Sequence, residues 1–147
     1  MFYSAIVRRN PTFNETDNLS NMKQIGLAMM MYSADNNDGY PSSANWKYEL
    51  SPYVRNSEVF TCLEIKKHKT NFAMNDFYSF SNIEYVKMPF NEVLLFEAPL
   101  GINNGNEANV YTQKEKIVTG YCDGHARTNT PTEVIQEIIN SRSYYNQ

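Results

Sequence analysis

Residues 16–41 read TDNLSNMKQIGLAMMMYSADNNDGYP, and this stretch decides the fold class. Leu19, Met22, Ile25, Gly26, Met29 and Tyr32 recur every three to four residues, the period that gathers side chains on one face of an α-helix. Thr16 or Asp17 suits the N-cap, and Asp17 lies near the positive end of the helix dipole. Leu27, Met30 and Met31 widen the apolar face toward its C-terminal half, where flexible methionines fill irregular gaps. Core packing suits this stripe better than a promiscuous groove. The run Asp35-Asn36-Asn37-Asp38-Gly39-Tyr40-Pro41 then stops the helix, because Asn and Gly tolerate left-handed backbone and Pro41 blocks re-entry. Its acidic spacing resembles a calcium loop at first sight. With Gly39 in the sixth place, however, the first and twelfth ligands are Ala34 and Asn45, which supply no carboxylate. The segment reads as a turn.

Ahead of the helix, residues 1–16 read as an irregular lead-in, since Pro11 forbids a helix interior there. Beyond it, residues 46–54 read as a short helical turn carrying the aromatic anchors Trp46, Tyr48 and Tyr53. Residues 71–80 are aromatic-rich and strand-like. Residues 92–98 form a near-continuous apolar run between Pro89 and Pro99, the mark of a buried central strand. Residues 101–109 are dense in Asn and Gly and read as a loop; residues 116–122 read as a further strand closed by the Asp123-Gly124 turn. Thr130, Pro131 and Glu133 suit the N-cap, N1 and N3 positions of a last helix with Val134, Ile135, Ile138 and Ile139 on its apolar face. The expectation is an α+β roll in a single domain over residues 17–147. One long N-terminal helix packs on a small, mostly antiparallel sheet, with a short C-terminal helix.

Composition narrows the function classes. A net charge of −3 and a pI near 5.4 give no footprint for nucleic acid. The one basic cluster, Lys66, Lys67, His68 and Lys69, is too short to track a phosphate backbone and reads as a solvated loop. With 11 Tyr and 8 Phe the chain is aromatic-rich, which fits strands or a partner-binding surface. Cys62 and Cys122 are too few for a disulfide scaffold and have no zinc-ligand spacing. A single bridge between them, which would add about 3–4 kcal/mol, and two buried free thiols both remain open. Residues 1–7 are far short of the roughly 20 apolar residues of a membrane span. Arg8 and Arg9 also follow that stretch, where a secretory signal would place them before it.

Three segments together carry a family resemblance. The first contains Asn21, Lys23, Gln24 and Gly26 and runs into Asp38 and Gly39. The second joins residues 60–62 to residues 71–75, and the third joins residues 93–98 to Asp123, Gly124 and His125. In order and approximate spacing they resemble bacterial pilin-like and pseudopilin proteins, over about residues 18–128. That family carries a prepilin-type N-terminal region and a C-terminal H-X9-DG element. The departures are specific. The family His falls on Gln113, and Asn18 stands where a Cys often opens the helix motif. Residues 1–16 hold neither the family's cleavage site nor its apolar spine, so the expectation is a head domain without its spine, either trimmed or a soluble relative. The resemblance implies a structural, non-enzymatic subunit of a filament or secretion apparatus. It would touch other pilin-like subunits or envelope proteins, and would lie at the cell envelope or outside it if an anchor or signal exists. The residues as they stand imply no contact with membrane.

Two alternatives compete with that expectation. A Tyr/Trp/Asn-rich surface containing Trp46, Asn103, Asn104 and Asn106 would make a binding module for a glycan or peptide. Asp123 and His125 could also orient one another for general-base work or hold a metal, as a hydrolase would require. No Gly-x-Ser-x-Gly elbow, phosphate-cradling loop or His-Glu-x-x-His accompanies them, so a turn with Asp123 bonding local amides is the expectation. Glu97, at the end of an apolar run, could mark a site alongside Arg127 or Lys116, but a structural ion pair or an exposed strand end suits it better. No cofactor is expected. A structural calcium on Asn103, Asn104, Asn106, Glu107 and Asp123 is the one weak candidate, and no fixed spacing supports it.

Overall fold

The computed structural model describes residues 11–62 and 68–147, with side chains described from Asp17 onward. Helix α1 (Pro11–Asp35) starts earlier than the sequence suggested. Thr16 and Asp17 therefore lie inside the helix and not at its start, and residues 11–16 are no irregular lead-in; residues 1–10 lie outside the described residues. Proline breaks a helix only where residues before it would donate and accept in register, and a first-turn proline forfeits no bond. Met22, Ile25, Ala28 and Met29 are buried, with Leu19, Met30 and Tyr32 packed at their margin. Leu27 and Met31 are corrections to the widened face, being 62% and 46% exposed. At about 100° per residue they project roughly 200° away from Ile25 and Met29, their neighbours two positions back. The helix ends through Asn37 and Asp38, whose φ angles of 54° and 59° are left-handed. Asp38, not Gly39, carries the second unusual conformation.

The polypeptide then forms α2 (Trp46–Leu50), running into a 3-10 turn at Ser51–Tyr53. Five strands follow: β1 (Thr70–Asn75), β2 (Val93–Pro99), β3 (Asn104–Gly105), β4 (Ile117–Tyr121) and β5 (Ala126–Asn129). Their order is β3-β1-β2-β4-β5, so the apolar run is the central strand. Three pairings are antiparallel and β1–β3 is parallel, which makes the sheet mixed. Two boundaries differ from expectation. β1 stops at Asn75 because its side chain accepts the Phe77 amide and caps a 3-10 turn. Within the Asn/Gly stretch, residues 104–105 pair with β1, although that stretch had read as loop throughout.

The sheet is buried on both faces. On one, Phe72, Met74, Leu94, Leu95, Val118 and Cys122 pack with α1, Trp46, Leu50 and Phe60. On the other, Ala73, Val93, Phe96, Ala98, Ile117 and Tyr121 pack with Val134 and Ile138 of α3 (Pro131–Ser143). This double burial is why residues 93–98 lack the alternation of a one-sided strand. It also makes three layers, where a helix packed on a sheet would make two. Helix α3 starts as its sequence dictates. Thr130 Oγ1 accepts from the Glu133 amide, Glu133 Oε2 accepts from the Thr130 amide, and Pro131 occupies the first turn. Among the described residues, no helix is long and apolar enough to cross a membrane.

Candidate functional site at the helix–turn joint

Two of the motif segments meet face to face. A Cβ on Gly26 of α1 would fall 2.1 Å from the Gly124 carbonyl oxygen, and one on Gly124 would fall 2.8 Å from Met30 Cγ. Gly124 also has a φ of 91°, a conformation that side chains disfavour. Helix and turn thus approach at backbone distance, and glycine is required on both sides. The turn is tied down further: the Asp123 amide donates to the Pro89 carbonyl and the Cys122 amide to that of Glu92. Tyr40 Oη donates to the Cys122 carbonyl at 2.7 Å. Its phenol is held above the ordinary range, chiefly by burial.

Asp123 does bond the local backbone, accepting the His125 amide at 3.1 Å, and it also pairs with His125 Nδ1 at 2.5 Å. The imidazole lies flat on Tyr121, with centroids 4.5 Å apart and planes 5° from parallel. The Arg127 guanidinium also sits 4.5 Å from that ring centroid, and its Nε donates to Tyr121 Oη. Glu137 of α3 accepts from both Tyr121 and Arg127, each at 2.6 Å. Chemically this is an Asp–His pair on a partly exposed turn, its side chains 37% and 39% accessible, anchored to a ring by stacking. The arrangement holds a shape: among the described residues, stacking on Tyr121 and the bond to Asp123 fix the imidazole.

The remaining motif residues do not join it. Gln113 is exposed on the loop before β4 while Asp123 follows that strand, so the two lie at opposite ends of β4. Asn21 and Gln24 line a polar groove of about 370 Å³ with Asp17, Asn56 and Glu58, and Lys23 is exposed. Asp38 accepts the Ile83 amide through its carbonyl, and Gly39 bridges to Asn82.

Several site expectations are corrected. Cys62 and Cys122 are free and buried. Burial pushes both thiols upward. Trp46 offers no surface, being buried with Nε1 donating to the Asn103 carbonyl at 2.7 Å. Asn103 is exposed, but its Oδ1 takes both Lys47 Nζ and Asn71 Nδ2 at 2.8 Å. Burial lowers the Lys47 amine to about 8. Asn106 caps a 3-10 turn at Glu107–Asn109 and Asn104 sits in β3. The oxygens weighed for calcium do not converge. Glu107 pairs with Arg142, Asp123 with His125, and β1 and β2 separate β3 from β4 by about 14 Å. Of the basic cluster, Lys66 and Lys67 lie outside the described residues.

Glu97 is wholly buried and paired with neither Arg127 nor Lys116. Lys114 Nζ lies 2.8 Å from Oε1, Thr70 Oγ1 donates to the same atom, and the Val118 amide donates to Oε2. A second buried carboxylate escaped the sequence reading. Glu92 is fully inaccessible and accepts from Tyr78 Oη at 2.5 Å, Tyr145 Oη at 2.8 Å and the Met88 amide at 2.7 Å. Its only sequence signal was an acidic residue at the mouth of the central apolar run. No protein-family model, curated protein or solved structure matches this chain.

Proposed function

We propose that this chain is the head domain of a pilin- or pseudopilin-like subunit, a structural protein that works through contacts with other proteins at the cell envelope. The observation that carries the reading is the Gly26–Gly124 joint. Two sequence segments almost a hundred residues apart, each part of the resemblance, are complementary at backbone distance. A long helix is thereby fixed across a sheet as a rigid handle. Its outer side leaves Leu27 and Met31 exposed beside Lys23 and Gln24, a strip free to meet another helix. The Asp123–His125 pair serves this reading as a turn lock, and none of the cavities described above is lined by it.

Photo-crosslinking in the native host tests the proposal, with the probe placed at Leu27 or Met31 and a control probe at exposed Thr132 on α3. The expected result is a discrete crosslink to an envelope protein from the α1 positions only. A chain that stays in the cytosol and crosslinks to nothing from either position would sink the reading.

A further inference from the structure

Between β1 and β2 the chain makes two 3-10 turns, Asp76–Tyr78 and Ile83–Tyr85, each opened by an asparagine that accepts the amide two residues on. Phe80 between them has a φ of 59°, uncommon for a bulky residue, and is left largely exposed. The turns project Phe77, Tyr78 and Tyr85 toward the C-terminal Tyr145, and the four rings wall an open cavity of about 220 Å³. The rings do not stack on one another. Phe77 stands at 87° to Tyr78 with centroids 5.0 Å apart, and at 55° to Tyr145 at 5.2 Å. Faces and edges therefore surround a volume.

Two further observations say what such a volume would hold. First, the polar side chains of the wall are already engaged. Tyr78 and Tyr145 hydroxyls donate to Glu92, Asn82 accepts the Glu84 amide and donates to the Asn37 carbonyl, and Ser81 Oγ donates to the Phe77 carbonyl. Only the Tyr85 hydroxyl, on an exposed ring, is left among the described wall side chains. A sugar, which needs many hydrogen bonds, finds few here. Second, carboxyl groups stand around the wall. Glu92, to which two of the wall tyrosines donate, makes no ion pair among the described residues, and Asp76 and Glu84 stand in the two turns. Lys87 Nζ rests 5.1 Å from the centroid of Tyr145, and Lys87 is not among the described residues that line the cavity. A guest that suits these walls is bulky and positively charged, with no hydrogen to donate. Aromatic rings attract such cations through their negative faces.

We propose that this cavity binds a quaternary ammonium group of the choline type. The site stands on its own geometry and does not depend on the assembly role proposed above. Titration of the full chain with choline chloride, followed by calorimetry and by NMR shifts of Tyr85 and Tyr145, should give a dissociation constant of about 1 mM, the range that a few exposed cation–π contacts reach. Tetramethylammonium should bind alike. The neutral carbon isostere of choline, with tert-butyl in place of trimethylammonium, should bind at least about tenfold more weakly. Tyr85→Ala, at an exposed position, should lose about tenfold of choline affinity with an unchanged melting temperature. Co-sedimentation with phosphatidylcholine vesicles would assign the headgroup to lipid, and choline binding without it would assign the guest to a free small molecule. Equal binding of the neutral isostere, glucose in the cavity, or no shift at about 50 mM choline would each overturn the proposal.

Discussion

Glu92 and Glu97 stand near opposite ends of the central strand, both wholly buried, and the fold handles the two carboxyl groups differently. At Glu97 a cation sits 2.8 Å away, with a hydroxyl and an amide completing the shell. At Glu92 two phenols and one amide do the whole task, and no ion pair forms among the described residues. A buried carboxylate can be neutralised or only solvated by dipoles, and the two choices have different consequences. Neutralisation closes one end of the strand. At the other end aromatic hydroxyls meet the carboxyl group, and those same rings wall a cavity.

The largest test removes the cation. Lys114→Met should cost about 3–5 kcal/mol, since it strands a buried charge, and adding Glu97→Gln should recover most of it. Urea unfolding reads both, and a loss under about 1 kcal/mol would mean that dipoles suffice at Glu97 as well. Next, Gly26→Ala forces a Cβ against the Gly124 carbonyl near the Glu92 end and should cost about 2–3 kcal/mol by overpacking, despite better helix propensity. A neutral result would show that the turn yields, and that this end is not held by backbone contact. Glu92→Gln should cost about 1–2 kcal/mol, less than the loss of Lys114, because hydroxyls can rotate to meet an amide. A cost above that of Lys114→Met would reverse the comparison.

The two ends should also part company in alkali. Tyr78 and Tyr145 are held above the ordinary phenol range, burial being the main cause, Tyr145 to about 12. The stability they carry is complete below pH 10 and is lost as pH rises toward their folded values. Near Glu97 the sign is opposite. Burial lowers Lys47 from 10.5 to about 8, so its penalty is full below about 8 and fades as pH climbs to 10.5. Melting curves across that window should fall less steeply for Tyr145→Phe than for the parent, and Lys47→Met should remove the compensating rise. The smallest effect falls between the two ends, where Thr119 Oγ1 is buried without a partner among the described residues. Thr119→Val should be neutral or stabilising by up to about 1 kcal/mol, measured as a shift in unfolding midpoint.

Much of the fold was legible because its signals are local. The helical period of residues 19–32, the apolar run that became β2 and the Thr130-Pro131-Glu133 cap depend on neighbours in sequence, and each stands where it was expected. The start of α1 was misread because Pro11 constrains only the residues before it. Leu27 and Met31 were misplaced because hydrophobicity alone does not say where the width of a helical face ends. The site was less legible. Trp46 drew notice as an exposed anchor and proved to be core, while Phe77, Tyr85 and Tyr145 form the aromatic surface through turns that β1 ends early to make.

The α+β class, the central strand, both principal helices and the need for a turn at Asp123-Gly124 follow from the order of residues alone, because periodicity, caps and turn chemistry act over a few residues. Tertiary structure alone decided which cation meets Glu97, that Cys62 and Cys122 stay apart, that α3 covers the second face, and that Gly26 touches Gly124. These outcomes depend on which distant segments pack together, and no local pattern of residues encodes a contact across a hundred positions.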